Sequence, residues 1–204
     1  MENNLHILTN TYTRIDPRFG RENGPVELDL GCGKGGFLLE LARRTRGVVL
    51  GADVMLGRLR KVARKAERAQ LINIELLRAD NIELVGYQLP DDCVRRVHLL
   101  CPDPWPKKRH RHRRLVTTDF LTRLMRVLEH DGVFHFSTDD RDYFEAVRKT
   151  AAQLPFYQED RDLASIRDVM DIETDFERLW RQEGRSVPHA AFRVNKLEET
   201  VLLA

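Results

Sequence analysis

Long apolar runs are missing from this chain, and so is every pattern by which cysteine marks a disulfide framework or a zinc site. No stretch approaches the ~18 apolar residues that a membrane-spanning helix needs. Met1 to Gly24 holds no apolar segment of the signal-peptide kind, so a soluble, cytoplasmic protein with no membrane association is expected. The three cysteines, Cys32, Cys93 and Cys101, are odd in number and show neither C-x-x-C spacing nor a companion histidine pattern. They read as reduced core thiols, and no metal is expected. Net charge is scarce too: 34 Lys and Arg against 32 Asp and Glu leave +2, too little by itself to advertise a polyanionic partner. Repeats and low-complexity segments are absent, and 204 residues suit one domain with a real core.

What charge there is has been sorted along the chain. Arg58, Arg60, Lys61, Arg64, Lys65 and Arg68 face the single Glu67, and Lys107 to Arg114 adds six more cations with His110 and His112. The acids gather later, at Glu159, Asp160, Asp162, Asp168, Asp171, Glu173, Asp175 and Glu177. A basic face that recruits phosphate by counterion release, with an acidic face opposing it, is the expectation.

Short apolar runs alternate with amphipathic ones. Val26 to Leu30, Val48 to Asp53, Asn73 to Leu77, Val94 to Leu100 and Val133 to Ser137 are strand-length and rich in β-branched or aromatic residues. Between them, Gly35 to Arg46, Met55 to Leu71 and Thr118 to Leu128 place apolar residues at helical spacing. Strand then helix, repeated, predicts an α/β, doubly wound, mostly parallel sheet with helices on both faces. The last third, after Pro155, is less regular and its strands are not placed.

Ligands on such sheets bind beyond the carboxyl ends of the strands, and acids recur there: Asp29 at the end of the first strand, Asp53 after the second, Asp80 after the third, Asp103 after the fourth and Asp139 after the fifth. Asp103 stands between Pro102 and Pro104, which restrict φ and remove two backbone donors, and Trp105 and the basic block follow at once. One rigid carboxylate beside a cationic runway suggests chemistry on nucleic acid. Gly31, Gly33 and Gly36 satisfy G-x-G-x-x-G, and Asp53 lies where a nicotinamide-dependent oxidoreductase would keep its ribose acid, so that reading stays open.

The acid ahead of the glycines, in Asp29-x-Gly31-x-Gly33, resembles the first motif of class I S-adenosylmethionine-dependent methyltransferases, whose fold is a Rossmann-like sheet of seven strands with one antiparallel strand near the C-terminus. Pro102-Asp103-Pro104-Trp105-Pro106-Lys107-Lys108-Arg109-His110, with Arg113-Arg114 following, closely resembles the signature of the bacterial tRNA (guanine-N7)-methyltransferases. Gly132 to Asp139 resembles that family's fifth strand with its acid, and Thr174-Asp175-Phe176-Glu177, with Gly184 downstream, its late T-x-F-E element. The likeness runs from about Pro25 to Phe192. It implies a short N-terminal arm, 1–24, a methyltransferase domain, 25–204, and methyl transfer from S-adenosylmethionine to N7 of the variable-loop guanine at position 46 of tRNA. It further implies that Asp29, Gly31, Gly33, Asp53, Asp80, Asn81 and Asp103 hold the cofactor, that Asp103 is the catalytic residue, and that Lys107, Asp139, Thr174, Phe176 and Glu177 engage tRNA. The family often has Glu where Asp29 and Asp53 stand, an aromatic where Cys101 stands and Lys where Asp175 stands.

Guanine N7 offers an in-plane lone pair and no proton, so it needs alignment with a methyl donor more than it needs a base. A carboxylate such as Asp103 would favour the positive charge that builds on the purine and hold its edge through N1–H or the amino group. Two other classes remain at this stage: a cofactor-binding, RNA-binding protein without activity, and the oxidoreductase. A monomer and a homodimer fit the sequence equally well.

Overall fold

The computed structural model describes residues 4–21 and 24–196, and eight strands within them form one sheet. In chain order the elements are β1 (Leu5–Ile7), β2 (Val26–Leu30), α1 (Gly36–Arg44), β3 (Val48–Ala52), α2 (Leu56–Arg68), β4 (Ile74–Arg78) and the single turn α3 (Asn81–Glu83), which runs into a π turn over Leu84–Gln88. There follow β5 (Val94–Leu100), a 3₁₀ helix over Lys108–Arg113, α4 (Thr118–Val127), β6 (Leu128–Ser137), α5 (Arg141–Ala152), β7 (Tyr157–Glu159), a 3₁₀ helix over Ala164–Val169, α6 (Asp175–Gln182) and β8 (His189–Val194).

The spatial order is β1-β4-β3-β2-β5-β6-β8-β7. All pairings are parallel except those of β8, which runs antiparallel to β6 and β7. Seven strands therefore adopt the arrangement expected from the sequence, and β1 adds an eighth at the edge, pairing Leu5–Ile7 with Leu76–Arg78. The arm carrying β1 is tied down through the buried Glu75, whose carboxylate receives His6 Nε2 at 2.8 Å and Arg21 Nη2 at 2.8 Å.

Two apolar layers sandwich the sheet. On one face Phe37, Leu38 and Leu41 of α1 and Leu59, Val62, Ala63 and Ala66 of α2 meet Val49, Ile74 and Leu76. On the other, Phe120, Leu121 and Leu124 of α4 and Tyr143 and Val147 of α5 meet Leu28, Val97, Phe134 and Phe136. The opposite side of α2 exposes Arg58, Arg60, Lys61, Arg64, Lys65 and Arg68, so the period of 3.6 read from the sequence is the period of burial. Helix ends fall slightly inside the expected limits. α1 stops at Arg44 because Thr45 turns extended (φ −89°, ψ 129°), and α2 stops at Arg68, with Gln70 entering the left-handed region (φ 55°).

Between α1 and β3 the chain passes so near the start of β2 that a Cβ on Gly47 would lie 1.8 Å from the Pro25 carbonyl oxygen. Backbone cannot yield there as a flexible side chain could. Gly47→Ala is expected to destabilise the fold by at least about 3 kcal/mol, read as a lower urea midpoint; an unchanged midpoint would show that the crossing is looser than it stands here.

Candidate active site at the carboxyl edge of the sheet

The sheet order sets the acids in the sequence Asp80, Asp53, Asp29, Asp103, Asp139 along one edge, because β4, β3, β2, β5 and β6 are neighbours in that order. Each acid reaches its place by a different local device. Asp29 stands within β2, opposite Gly51 of β3 and His98 of β5. It is 4% exposed, and no hydrogen-bond donor among the described residues reaches its carboxylate. Burial, and then the charge of Asp53, push it up to about 7.

That carries a testable cost. The folded state keeps Asp29 protonated where the unfolded chain has already ionised. The group's stabilisation is whole below about 4 and is lost as pH rises through about 7, up to about 4 kcal/mol in all. Urea unfolding of the ligand-free protein across that range should show the slope, and Asp29→Asn should remove it.

The glycine turn closes over Asp53. Gly31 N and Cys32 N both donate to the Ala52 carbonyl, at 2.8 and 2.9 Å, while Asp53 accepts from Gly33 N at 3.2 Å and from Met55 N at 2.7 Å. Gly31 has φ 77°, and a Cβ there would meet nothing within 4 Å; the turn is thus a left-handed bend facing open space, where backbone can approach a ligand. Asp80 is exposed and caps α3, accepting from Ile82 N at 2.8 Å and Glu83 N at 3.2 Å, with Asn81 half-buried beside it. A buried carboxylate lacking a donor, an open glycine bend and two further acids at the next strand ends fit the amino-acid, ribose and adenine parts of S-adenosylmethionine.

Asp103 is exposed and makes no hydrogen bond or ion pair among the described residues. Its loop is nonetheless fixed. Cys101 (φ 52°) and Trp105 (φ 43°) sit in the left-handed region on either side of the two prolines. Arg114, 9% exposed, donates from Nε to the Pro104 carbonyl at 2.8 Å, reaches Asp140 at 3.4 Å and lies over the Tyr143 ring at 4.6 Å. Trp105 is occupied locally, with the Arg113 guanidinium 5.0 Å from its ring and His110 edge-on at 6.0 Å. Lys107 and the 3₁₀ helix Lys108–Arg113 follow with their cations exposed.

Asp139 is half-buried and pairs with Arg185 at 3.3 Å. Thr174 caps α6 in a capping box: its hydroxyl accepts from Glu177 N, and Glu177 Oε2 accepts from Thr174 N at 2.7 Å. Phe176 is exposed and stacks on Trp180. Glu177, by contrast, is 8% exposed. Burial alone would raise its carboxyl, but His189 and the Thr174 backbone hold it below the ordinary range. Asp175 lies against Gly36 at the first turn of α1, so the start of α6 abuts the glycine turn.

The late acids form no free acidic face. Asp168 pairs with Arg96, Asp171 with Arg44, Glu159 with Arg148 and Glu173 with Arg181. Sequence reasoning counted Arg114 as one more cation of the basic block, where it is buried and braces the loop, and it passed over the buried charges of Glu27 and Arg96. The signal for the latter was Arg96 and His98 standing two residues apart, and so on one face, in a strand-length run. Among the described residues there is no cluster that could hold a metal ion and no helix long and apolar enough to cross a membrane.

This strand order, with one antiparallel strand and an open glycine turn after β2, is that of the class I methyltransferase fold. An rRNA methylase from Streptococcus thermophilus superposes with a TM-score of 0.56 at 15% identity, covering 85% of this chain and 89% of that one. A family model described as putative methyltransferase matches residues 23–190. A tRNA (guanine-N(7)-)-methyltransferase of Thermotoga maritima is 35% identical over 168 residues, 82% of this chain and 53% of its own length. One of Streptococcus pyogenes is 31% identical over 172 residues, 83% of this chain and 81% of its own. The chain belongs to the tRNA (guanine-N7)-methyltransferase family, although it spans little more than half the length of the Thermotoga relative.

Proposed function

We propose that this chain transfers a methyl group from S-adenosylmethionine to N7 of guanine in tRNA, at variable-loop position 46, giving N7-methylguanosine. The observation that carries it is the unpaired Asp103 carboxylate, held in a braced loop between the cofactor-type edge and an exposed cationic helix. When bound, S-adenosylmethionine supplies an electrophilic methyl on a sulfonium. Asp29, Gly31, Gly33, Asp53, Asp80, Asn81 and Asp103 line its place. Asp103 orients the guanine edge and stabilises the positive charge that develops on the purine; no proton need leave N7, so it is not required as a base. Lys107, Asp139, Thr174, Phe176 and Glu177 engage the RNA, with Glu177 also holding the turn that carries Thr174 and Phe176. Residues 25–204 are taken as the methyltransferase domain and 1–24 as its arm, in a cytoplasmic monomer or homodimer.

Transfer of labelled methyl from the donor to tRNA by the purified chain tests the reading. A chain that binds donor and RNA without transfer would be the non-catalytic alternative, and one that binds NAD(H) but not the donor would be the oxidoreductase. The combined Lys107→Ala, Lys108→Ala and Arg109→Ala variant is expected to weaken tRNA binding and to flatten its dependence on salt, by roughly one unit of slope for each phosphate no longer neutralised. An unchanged slope would take these cations out of the interface.

A further inference from the structure

α1, α4, α5 and α6 each set carboxylates beside arginines: Arg43 and Arg44 share Glu40, Arg123 has Asp119, Arg148 has Glu145 and Arg178 has Asp175. α2 is built otherwise. Between Leu56 and Arg68 it carries six cations and the single acid Glu67. Arg58 reaches the Asp53 carboxylate at 3.6 Å, and Lys65 Nζ donates to the Lys34 carbonyl at 2.8 Å. Lys61, Arg64 and Arg68 are exposed and have no acid partner among the described residues.

The fold itself does not require this. Leu59, Val62, Ala63 and Ala66 bury the inner side of the helix, and any soluble residue would serve on the outer side. Instead like charges stand one turn apart, Arg60 with Arg64, Lys61 with Lys65 and Arg64 with Arg68, which weakens a helix where a Glu–Lys pair would strengthen it. A polyanion laid along the stripe relieves that repulsion and releases its own counterions.

The stripe begins at the working edge of the sheet. α2 follows β3 and leads into the parallel strand β4, so it runs back from the carboxyl edge, with Arg58 beside Asp53 and Arg68 about 15 Å farther along the axis. Only β2 separates β3 from β5, roughly 10 Å across the sheet, and the exposed Lys107–Arg113 segment leaves the same edge after β5. Two cationic tracks thus flank the edge that holds Asp29 and Asp53.

We propose that the outer face of α2 is a second docking surface for tRNA, on which Lys61, Arg64 and Arg68 hold ribose-phosphate backbone away from the guanine presented to Asp103. It rests on the function proposed above and adds to it a surface outside the site at the sheet edge. Every exposed residue from 58 to 68 is charged, so the face reads backbone charge and not base sequence. With no apolar group turned outward, it does not suit insertion into a lipid surface.

The combined Lys61→Gln, Arg64→Gln and Arg68→Gln variant keeps the bonds that Arg58 and Lys65 make at the edge. Its Kd for labelled tRNA, read by fluorescence anisotropy, should rise roughly tenfold at low salt, and the slope of log Kd against log salt should fall by roughly two to three units. Its urea midpoint should equal or exceed that of the parent, because like charges have been removed. In the parent, bound tRNA should shield Lys61 from acetylation, read by mass spectrometry. Unchanged affinity and slope beside a parent that methylates tRNA would overturn the proposal alone, and so would full acetylation of Lys61 in the complex. A parent that shows the shielding and the slope but transfers no methyl would count against the methyl-transfer reading and leave this surface standing.

Discussion

Asp103→Asn is expected to lower methyl transfer to tRNA by roughly 10²–10³-fold, the scale on which one electrostatic interaction with a transition state is usually felt. The stability of the fold and the affinity for donor should stay near those of the parent. Both halves follow from the position of the side chain. Its carboxylate supports nothing in the described structure, so the amide replaces no internal bond, while the loop is held by Arg114 on the Pro104 carbonyl and by the prolines themselves. On the proposed function, what the amide removes is the negative charge set to face a purine becoming cationic, together with one acceptor for its N–H groups. Single-turnover rates with saturating donor would separate this from RNA binding. Undiminished transfer by the variant would end the role given to Asp103.

Arg96→Ala should be the most damaging single change to the fold, at roughly 3–5 kcal/mol, a large part of the ~5–15 kcal/mol that holds a domain together. Glu27 is 5% exposed and takes two of its bonds from this guanidinium, and Asp168 takes two more. Without Arg96, Glu27 would keep a buried charge with only His98 against it. Burial by itself would raise Glu27; His98 and Arg96 together hold it below the ordinary range. Replacing Glu27 and Arg96 together should therefore cost less than the sum of the single changes, and a denaturant double-mutant cycle would measure the coupling. A loss under about 1 kcal/mol for Arg96→Ala would mean that the network relaxes around the gap.

The sequence made the first five strands of the parallel core legible because Val26–Leu30 and its counterparts are short, apolar and set apart by glycine or charge, and it exposed the acids because each stands at the end of such a run. α2 was legible for the same reason that it is amphipathic. Other parts were not. β1 is three residues long and gains its pairing only from β4, and β7 and β8 depend on partners far along the chain. The capping box of Thr174 and Glu177 lay inside a motif read for its RNA contacts, so its local role was hidden by its functional one. The hydrogen bonds from His98 to His135 and from His135 to His189 were invisible because these residues are 37 and 54 positions apart in sequence and meet only when β5, β6 and β8 align. The late acids looked like one negative face because pairing with Arg44, Arg96, Arg148 and Arg181 cannot be read from composition.

The most direct test of the central claim is nucleoside mass spectrometry of an unmodified tRNA with guanine at position 46, incubated with the purified chain and S-adenosylmethionine. The expected result is N7-methylguanosine at that position, dependent on donor and nearly lost with Asp103→Asn. Absence of N7-methylguanosine from a folded protein that binds the donor, or a methyl group found on another atom, would contradict it.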